Sequence, residues 1–368
     1  MWSFGIIDVM SKAQPSEPSP ASGSRSGRQV GIDLARGLAV LLMIQTHAYD
    51  AWVSPAGKVS FGYRLSRMVS NIPAPLFLLL AGVGLVLGAQ AAAKRAPQKS
   101  RHELRLAMAR RALEVLGYGY LVSLIYAAID WQFTAGMLLR ADILHCIGLS
   151  LLLCTGVMAL RTGAAWRAAL IVVLGLAGCL LAGKYLPALP IYAKPLLGLL
   201  VDVPGFTRFP LLPLCGFCAI GFALGPLSSV PRRPAVYLSW CVLATVAAIV
   251  FGELTDMTLR TLGGKLSRSH PAVIWNFFDG TSRALAVLWL GQALGNWVRA
   301  EALAAQLLVR LGRGSLLAYA FHIPFCYSRL ASPWAGKLSM STATPLVLAL
   351  MLLTFAAVYL RDRFKKAA

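Results

Sequence analysis

The segment GIDLARGLAVLLMIQTHAYDAW (31–52) places Asp33, Arg36, His47 and Asp50 on or beside the first long apolar run of the chain. A charge in hydrocarbon costs a few kcal/mol even on lenient scales, so such residues usually face a polar cavity and act there. Arg36 and His47 are eleven residues apart, close to three helical turns, so a helix puts both on one face about 16 Å apart along its axis. Asp33 and Asp50 each lie three residues from one of them, near the same stripe. The residue types suggest a division of labour. An arginine at the mouth of a cavity suits a phosphate-bearing donor, because guanidinium meets phosphate with paired N–H groups. A deeper histidine suits removal of a proton from a hydroxyl or amine. Asp50 is then expected to hold the imidazole in its useful tautomer, as the third member of a catalytic triad does.

The elements that must position these groups are membrane helices. Of the 368 residues 58% are hydrophobic and only 13% charged, where soluble domains carry about 25% charged residues. The net charge of +21 sits in short segments between apolar runs rather than on one amphipathic face, which argues against a nucleic-acid partner. Runs long enough to span begin near Leu38, Ile72, Ala112, Asp142, Ala168, Phe209, Ala235, Thr281, Ser315 and Pro345. An all-α polytopic protein with about ten transmembrane helices is predicted. The proline-broken stretch 185–206 reads as a loop or re-entrant piece. With the N-terminus inside, 21 Lys and Arg fall on the cytoplasmic side and 13 on the other, with Arg36 at the boundary. Both termini are therefore expected to be cytoplasmic. Residues 1–30 read as a disordered tail, 31–362 as the transmembrane domain and 363–368 as a short basic tail. Cations in the outer segments, Arg140, Lys184, Lys194, Arg208, Arg260, Lys265 and Arg268, suit either a solvated surface or an anionic acceptor arriving from outside. The C-x-x-C of Cys215 and Cys218 lies inside an apolar run without further ligands, so it reads as packing and no metal is expected.

Five stretches carry a resemblance. The opening GIDLARGLAVLLMIQTH (31–47) resembles the start of the catalytic domain of heparan-α-glucosaminide N-acetyltransferase and its bacterial relatives, within the acyltransferase 3-like superfamily of membrane acyltransferases. NIPAPLFLLLAGVGLVLG (71–88), ILHCIGLSLLL (143–153) and FPLLPLCGFCAIGFALG (209–225) are similar to the second, fourth and sixth helices of that family, and LGRGSLLAYAFHIPF (311–325) to its penultimate one. The resemblance implies transfer of an acyl group, acetyl above all, from cytosolic acetyl-CoA to a sugar or glycan acceptor on the outer side. Carried over, it makes His47 catalytic with Asp50 beside it. Arg36 and Asp33 fall at the CoA entrance, with Arg105, Arg110, Arg111 and His322 as further donor-binding candidates. His145 and Arg140 become candidates for holding the acceptor. The implied setting is a multi-pass protein of a cell membrane (the inner one in a Gram-negative source), with acyl-CoA, acceptor and lipid bilayer as partners and a homodimer as a possible assembly. The rival expectation is a transporter or flippase that uses the same polar stripe as a conduit.

Overall fold

The computed structural model describes residues 30–138, 140–185, 194–203, 207–262, 272–297 and 302–367. The expected N-terminal tail, Lys265 and Arg268 lie outside the described residues, as do the side chains of Lys184 and Lys194. The described part is built of helices α1 (Val30–Trp52), α2 (Phe61–Met68), α3 (Pro73–Arg95), α4 (Arg101–Asp130), α5 (Ala135–Leu138), α6 (Ile143–Val157) and α7 (Ala164–Tyr185). These are followed by α8 (Lys194–Leu200), α9 (Leu211–Ser229), α10 (Pro234–Leu262), α11 (Ala272–Trp297), α12 (Leu303–Arg313), α13 (Ser315–Tyr327) and α14 (Met340–Ala367). Extended backbone among the described residues amounts to two isolated bridges, Val53 with Leu338 and Ala141 with Thr207.

Burial separates inner from outer helices. The most apolar windows of α1 and α9 are each 56% inside the protein, whereas that of α10 is only 17% inside. The face α10 leaves outward carries Val242, Leu243, Val246, Ile249 and Val250, the side chains a lipid-facing helix needs. α1 is the hub and packs against α3, α11, α12, α13 and α14, while α3 pairs with α9, α4 with α6 and α10 with α11.

Glycine permits the closest of these crossings. A Cβ at Gly82 would collide with the backbone of Cys218, and one at Gly221 with the backbone of Leu79, so α3 and α9 touch main chain to main chain. Gly37 against Leu308 and Gly312 against Asp33 do the same for α1 and α12. In a bilayer, where lipid tails are as apolar as leucine, close backbone approach through small residues is what holds helices together.

Two expectations meet the structure only in part. Among the described residues seven helical segments are long and apolar enough to cross a membrane, where about ten were expected. α6 and α13 are apolar but have 15 and 13 residues, about 20 Å of helix each, short of a hydrocarbon core of about 30 Å. α11 has 26 residues but carries Asn276, Asp279, Arg283, Gln292 and Asn296. The second concerns KRAPQKSRHELRLAMARR (94–111), the basic segment between apolar runs that holds Arg105, Arg110 and Arg111. Most of it is the start of α4. Ser100 Oγ accepts from the Glu103 amide (3.2 Å) and Glu103 accepts from the Ser100 amide (2.7 Å), a capping box that starts the helix three turns before its apolar stretch. Arg105, Arg110 and Arg111 therefore stand on a helix. Likewise α14 runs on to Ala367, so the basic tail is helical to that point.

The glycine crossings predict a contrast. Gly221→Val should lower the thermal stability of the detergent-purified protein by about 1–3 kcal/mol, the usual cost of overpacking. Gly84→Ala, whose new Cβ meets nothing within 4 Å, should melt with the wild type. Equal melting of the two variants would refute the backbone contact between α3 and α9.

Candidate functional site

Helix direction sorts the candidates into two ends. Trp52 Nε1, at the end of α1, donates to the Phe325 carbonyl (3.0 Å), and Asp130, at the end of α4, accepts from the Arg329 amide (2.8 Å). α1, α4 and α13 therefore run parallel. Asp33, Arg36, Arg105, Arg110, Arg111 and Arg313 lie toward their common start, and His47, Tyr126 and His322 toward their common end.

At the starting end Asp33 is 3% exposed and accepts from two arginines, Arg36 on its own helix (3.2 Å) and Arg313 at the end of α12 (3.1 Å). The glycine contact between α1 and α12 brings Arg313 there, since Gly312 sits directly on the Asp33 carbonyl. One desolvated carboxylate thus aims two guanidinium groups. The sequence reading missed Arg313, although it lies inside the motif LGRGS (311–315); only the helix crossing tells which end it serves. Arg105 is half-buried, Arg110 and Arg111 are exposed, and none of the three has an ion-pair partner among the described residues.

At the other end His47 and His322 form the centre of the site. His47 Nδ1 lies 3.0 Å from His322 Nε2, and with centroids 5.3 Å apart and planes 7° from parallel the two rings meet edge to edge along that hydrogen bond. His322 is fully buried, and its Nδ1 lies 2.7 Å from the Ala318 carbonyl oxygen one turn earlier on α13. A carbonyl only accepts, so His322 Nδ1 carries hydrogen and, in the neutral ring, His322 Nε2 is a bare acceptor. His47 Nδ1 must then donate to it, which leaves the lone pair of His47 on Nε2. The chain Ala318–His322–His47 fixes a tautomer with heavy-atom geometry alone. Sequence reasoning gave this task to Asp50, and the structure does not bring the two together. Asp50 is exposed at the last turn of α1, 3.7 Å from the Lys58 ammonium, on the outward side of a turn whose Tyr49 and Trp52 are buried. His322, expected beside the donor, instead meets His47.

Aromatic and charged groups enclose the pair. The Tyr327 ring meets His47 edge-on at 5.6 Å, and the Arg208 guanidinium lies over Tyr327 at 4.8 Å, a cation–π arrangement. Tyr319 packs against His322 at 6.1 Å and donates its hydroxyl to Asp142, while Tyr126 donates to the Ile323 carbonyl (2.9 Å). None of Tyr126, Asp142, Tyr319 and Tyr327 stood out in the sequence, because their spacing carries no signal before the helices pack. His145 is fully buried in the first turn of α6. Its Nδ1 accepts from the Asp142 amide (3.2 Å) and its ring packs on Tyr120 at 4.4 Å, so it caps its own helix. Cys215 and Cys218 are buried and unbridged. Among the described residues no group of His, Cys, Asp and Glu is arranged to hold a metal ion.

The stretch that supplies α1, α3, α4, α6 and α9 also carries a family signature. Residues 28–254 match the family described as heparan-alpha-glucosaminide N-acetyltransferase, catalytic. The chain belongs to this family. The match covers more than half of the chain and includes His47, Arg36 and Asp33, but it ends in α10, ahead of Arg313 and His322. No curated protein matches the chain. Membership makes it a membrane acetyltransferase-type protein, in keeping with the seven segments among the described residues that are long and apolar enough to cross a membrane.

The carboxylate at the starting end is open to a stability test. Asp33→Ala leaves Arg36 and Arg313 without their shared partner at a tight crossing and should cost about 1–3 kcal/mol. Asp50→Ala removes only an exposed pair and should stay within about 0.5 kcal/mol of wild type. Thermal unfolding in detergent measures both, and an Asp33→Ala protein as stable as Asp50→Ala would contradict the shared-carboxylate geometry.

Proposed function

We propose that the protein transfers the acetyl group of cytosolic acetyl-CoA to a hydroxyl or amine of a sugar or glycan on the outer side of a cell membrane. The observation that carries this reading is the hydrogen-bonded chain from the Ala318 carbonyl through His322 to His47, which leaves His47 Nε2 as a base. In this mechanism His47 Nε2 takes the proton of the acceptor group as its oxygen or nitrogen bonds to the acetyl carbonyl carbon. The C–S bond of the thioester then breaks, and His47 returns the proton to the departing sulfur. His322 holds the charge that passes across the His47 ring by accepting from Nδ1 throughout.

The donor fits the starting end of α1. Arg36 and Arg313, both aimed by Asp33, would take its phosphates as paired N–H donors, and the unpaired Arg110 and Arg111 add positive charge on the same side. The rise of α1 puts Arg36 about 16 Å from His47, a distance that an extended pantetheine arm is suited to bridge. In this reading both termini are cytoplasmic. The ten-span arrangement is completed by α11 and by the shorter α6 and α13, with α12 and Gly314 extending α13.

Two measurements test the reading on protein purified in detergent and supplied with acetyl-CoA and a panel of amino sugars and neutral sugars. His47→Ala should lower acetyl transfer by about 100-fold or more, the usual worth of a general base, while acetyl-CoA still binds. His322→Ala should lower it by a smaller factor, because it frees the tautomer without removing the base. Undiminished transfer by His47→Ala would sink the mechanism and leave the polar stripe to be read as a conduit. At the donor end, Arg36→Ala and Arg313→Ala should each weaken acetyl-CoA binding by about 10-fold or more, as loss of a charge-assisted contact implies. Unchanged affinity in both variants would move the donor elsewhere.

A further inference from the structure

α2 is a short helix on the outside of the bundle, at the histidine end, between α1 and α3. Its approach is fixed by the last turn of α1. The Lys58 ammonium donates to the Asp50 carbonyl (2.7 Å), lies 3.7 Å from the Asp50 carboxylate and sits 5.8 Å over the Tyr63 ring. Ser60 Oγ caps the start of α2 by accepting from the Tyr63 amide (3.3 Å). Near its other end the Met68 carbonyl accepts from Arg283 (3.0 Å), which is itself paired with Asp279 (2.7 Å). The helix is therefore held at both ends.

Each side of α2 meets a different environment. At about 100° per residue, Gly62, Tyr63 and Ser66 fall on one side. Tyr63 is buried, and a Cβ at Gly62 would lie 3.3 Å from the Met340 side chain, so this side faces the protein. The opposite side is a stripe of Phe61, Leu65 and Met68, each between 55 and 75% exposed. Arg64 and Arg67 fill one flank between the two sides. Both are exposed, and neither has an ion-pair partner among the described residues. Val69, which ends the helix, falls on the other flank and packs on the core. Deep hydrocarbon would make two such arginines costly, and water would make the apolar stripe costly. The boundary between them suits both, with the stripe among acyl chains and the arginines at the headgroups. Trp131 and Phe133, exposed just past the end of α4 at the same end of the bundle, are the ring types that collect at that level.

We propose that α2 is an interfacial helix whose Arg64 and Arg67 bind the headgroup phosphate of an anionic phospholipid, with the lipid's acyl chains against Phe61, Leu65 and Met68. The lipid belongs to the leaflet at the histidine end. Charge selects an anionic lipid over a zwitterionic one. Two exposed guanidinium groups gain more from a headgroup of net negative charge than from one that carries its own ammonium. The carboxylate beside the helix, Asp50, is engaged by Lys58. This lipid surface is independent of the acetyl-transfer reading.

Fluorescence quenching tests the contact on the full-length protein in vesicles of phosphatidylcholine and phosphatidylglycerol, with bromine on the acyl chains of one lipid at a time. A fluorophore is attached at Leu65→Cys or, as a control on the outward face of α10, at Val246→Cys. Cys241→Ser serves as the background, because the other cysteines are buried. The probe at position 65 should be quenched by both lipids and favour phosphatidylglycerol by about 5-fold or more. The control should show a preference of about twofold or less. In Arg64→Gln/Arg67→Gln the preference at position 65 should fall to the control's value, while quenching by phosphatidylcholine persists. Should that variant fail to melt with the wild type, Arg64→Lys/Arg67→Lys must keep the preference, since it keeps the charge. An unquenched probe at position 65 overturns the proposal, because the stripe is then covered by water or by a second copy of the chain. Equal quenching by the two lipids there, a preference that survives the glutamine substitutions, or its loss in the lysine variant overturns it as well.

Discussion

An ionisable side chain inside a bilayer must be given a partner by the protein, and the inner architecture follows from that requirement. α1 carries such groups at both ends, and each is answered by the α12–α13 segment: Asp33 by Arg313, His47 by His322. Meeting both partners at once forces the two segments to run parallel and in contact over most of their length. The glycines at Gly37 and Gly312 let the backbones come close enough to do so. The polar contacts are thus the reason for the helix crossing as much as its result.

The same arrangement separates two chemistries along one axis. The starting end holds a carboxylate that aims two arginines. The other end holds two imidazoles, edge to edge, with a defined direction of hydrogen bonding. Between them α1 is lined by buried aliphatic residues, among them Val40, Met43 and Ile44. In the proposed acetyl transfer the first end would recognise the donor's charge, and the second would supply the base where the acceptor arrives.

Around the histidines the positioning is aromatic and indirect. Tyr327 lies between His47 and Arg208, and Tyr319 lies between His322 and Asp142. Each tyrosine offers a ring to an imidazole, and Tyr319 adds a hydroxyl for the carboxylate, so the imidazoles are held without a charge placed directly against them. An exposed carboxylate such as Asp50 could not do this, because water competes for it.

The sequence by itself determined that the chain is helical and membrane-embedded, which family it resembles, and that Asp33, Arg36 and His47 share one helical face. Composition, apolar run length and the 3.6-residue period are local properties, and they survive without knowledge of the fold. The sequence also placed cations in the outer segments, which suit either a solvated surface or an anion. What only the tertiary structure decided was pairing. Asp50 is the near choice in sequence to orient His47, yet the group that meets His47 is 275 positions further along the chain. The family resemblance offers Arg105, Arg110 and Arg111 for the donor, whereas Arg313 reaches Asp33 because two glycines let one helix lie on another. The ten apolar runs likewise could not reveal that α6 and α13 are short, since helix ends are set by caps and by contacts with neighbours. Periodicity tells which face of a helix a residue occupies; only packing tells what that face meets.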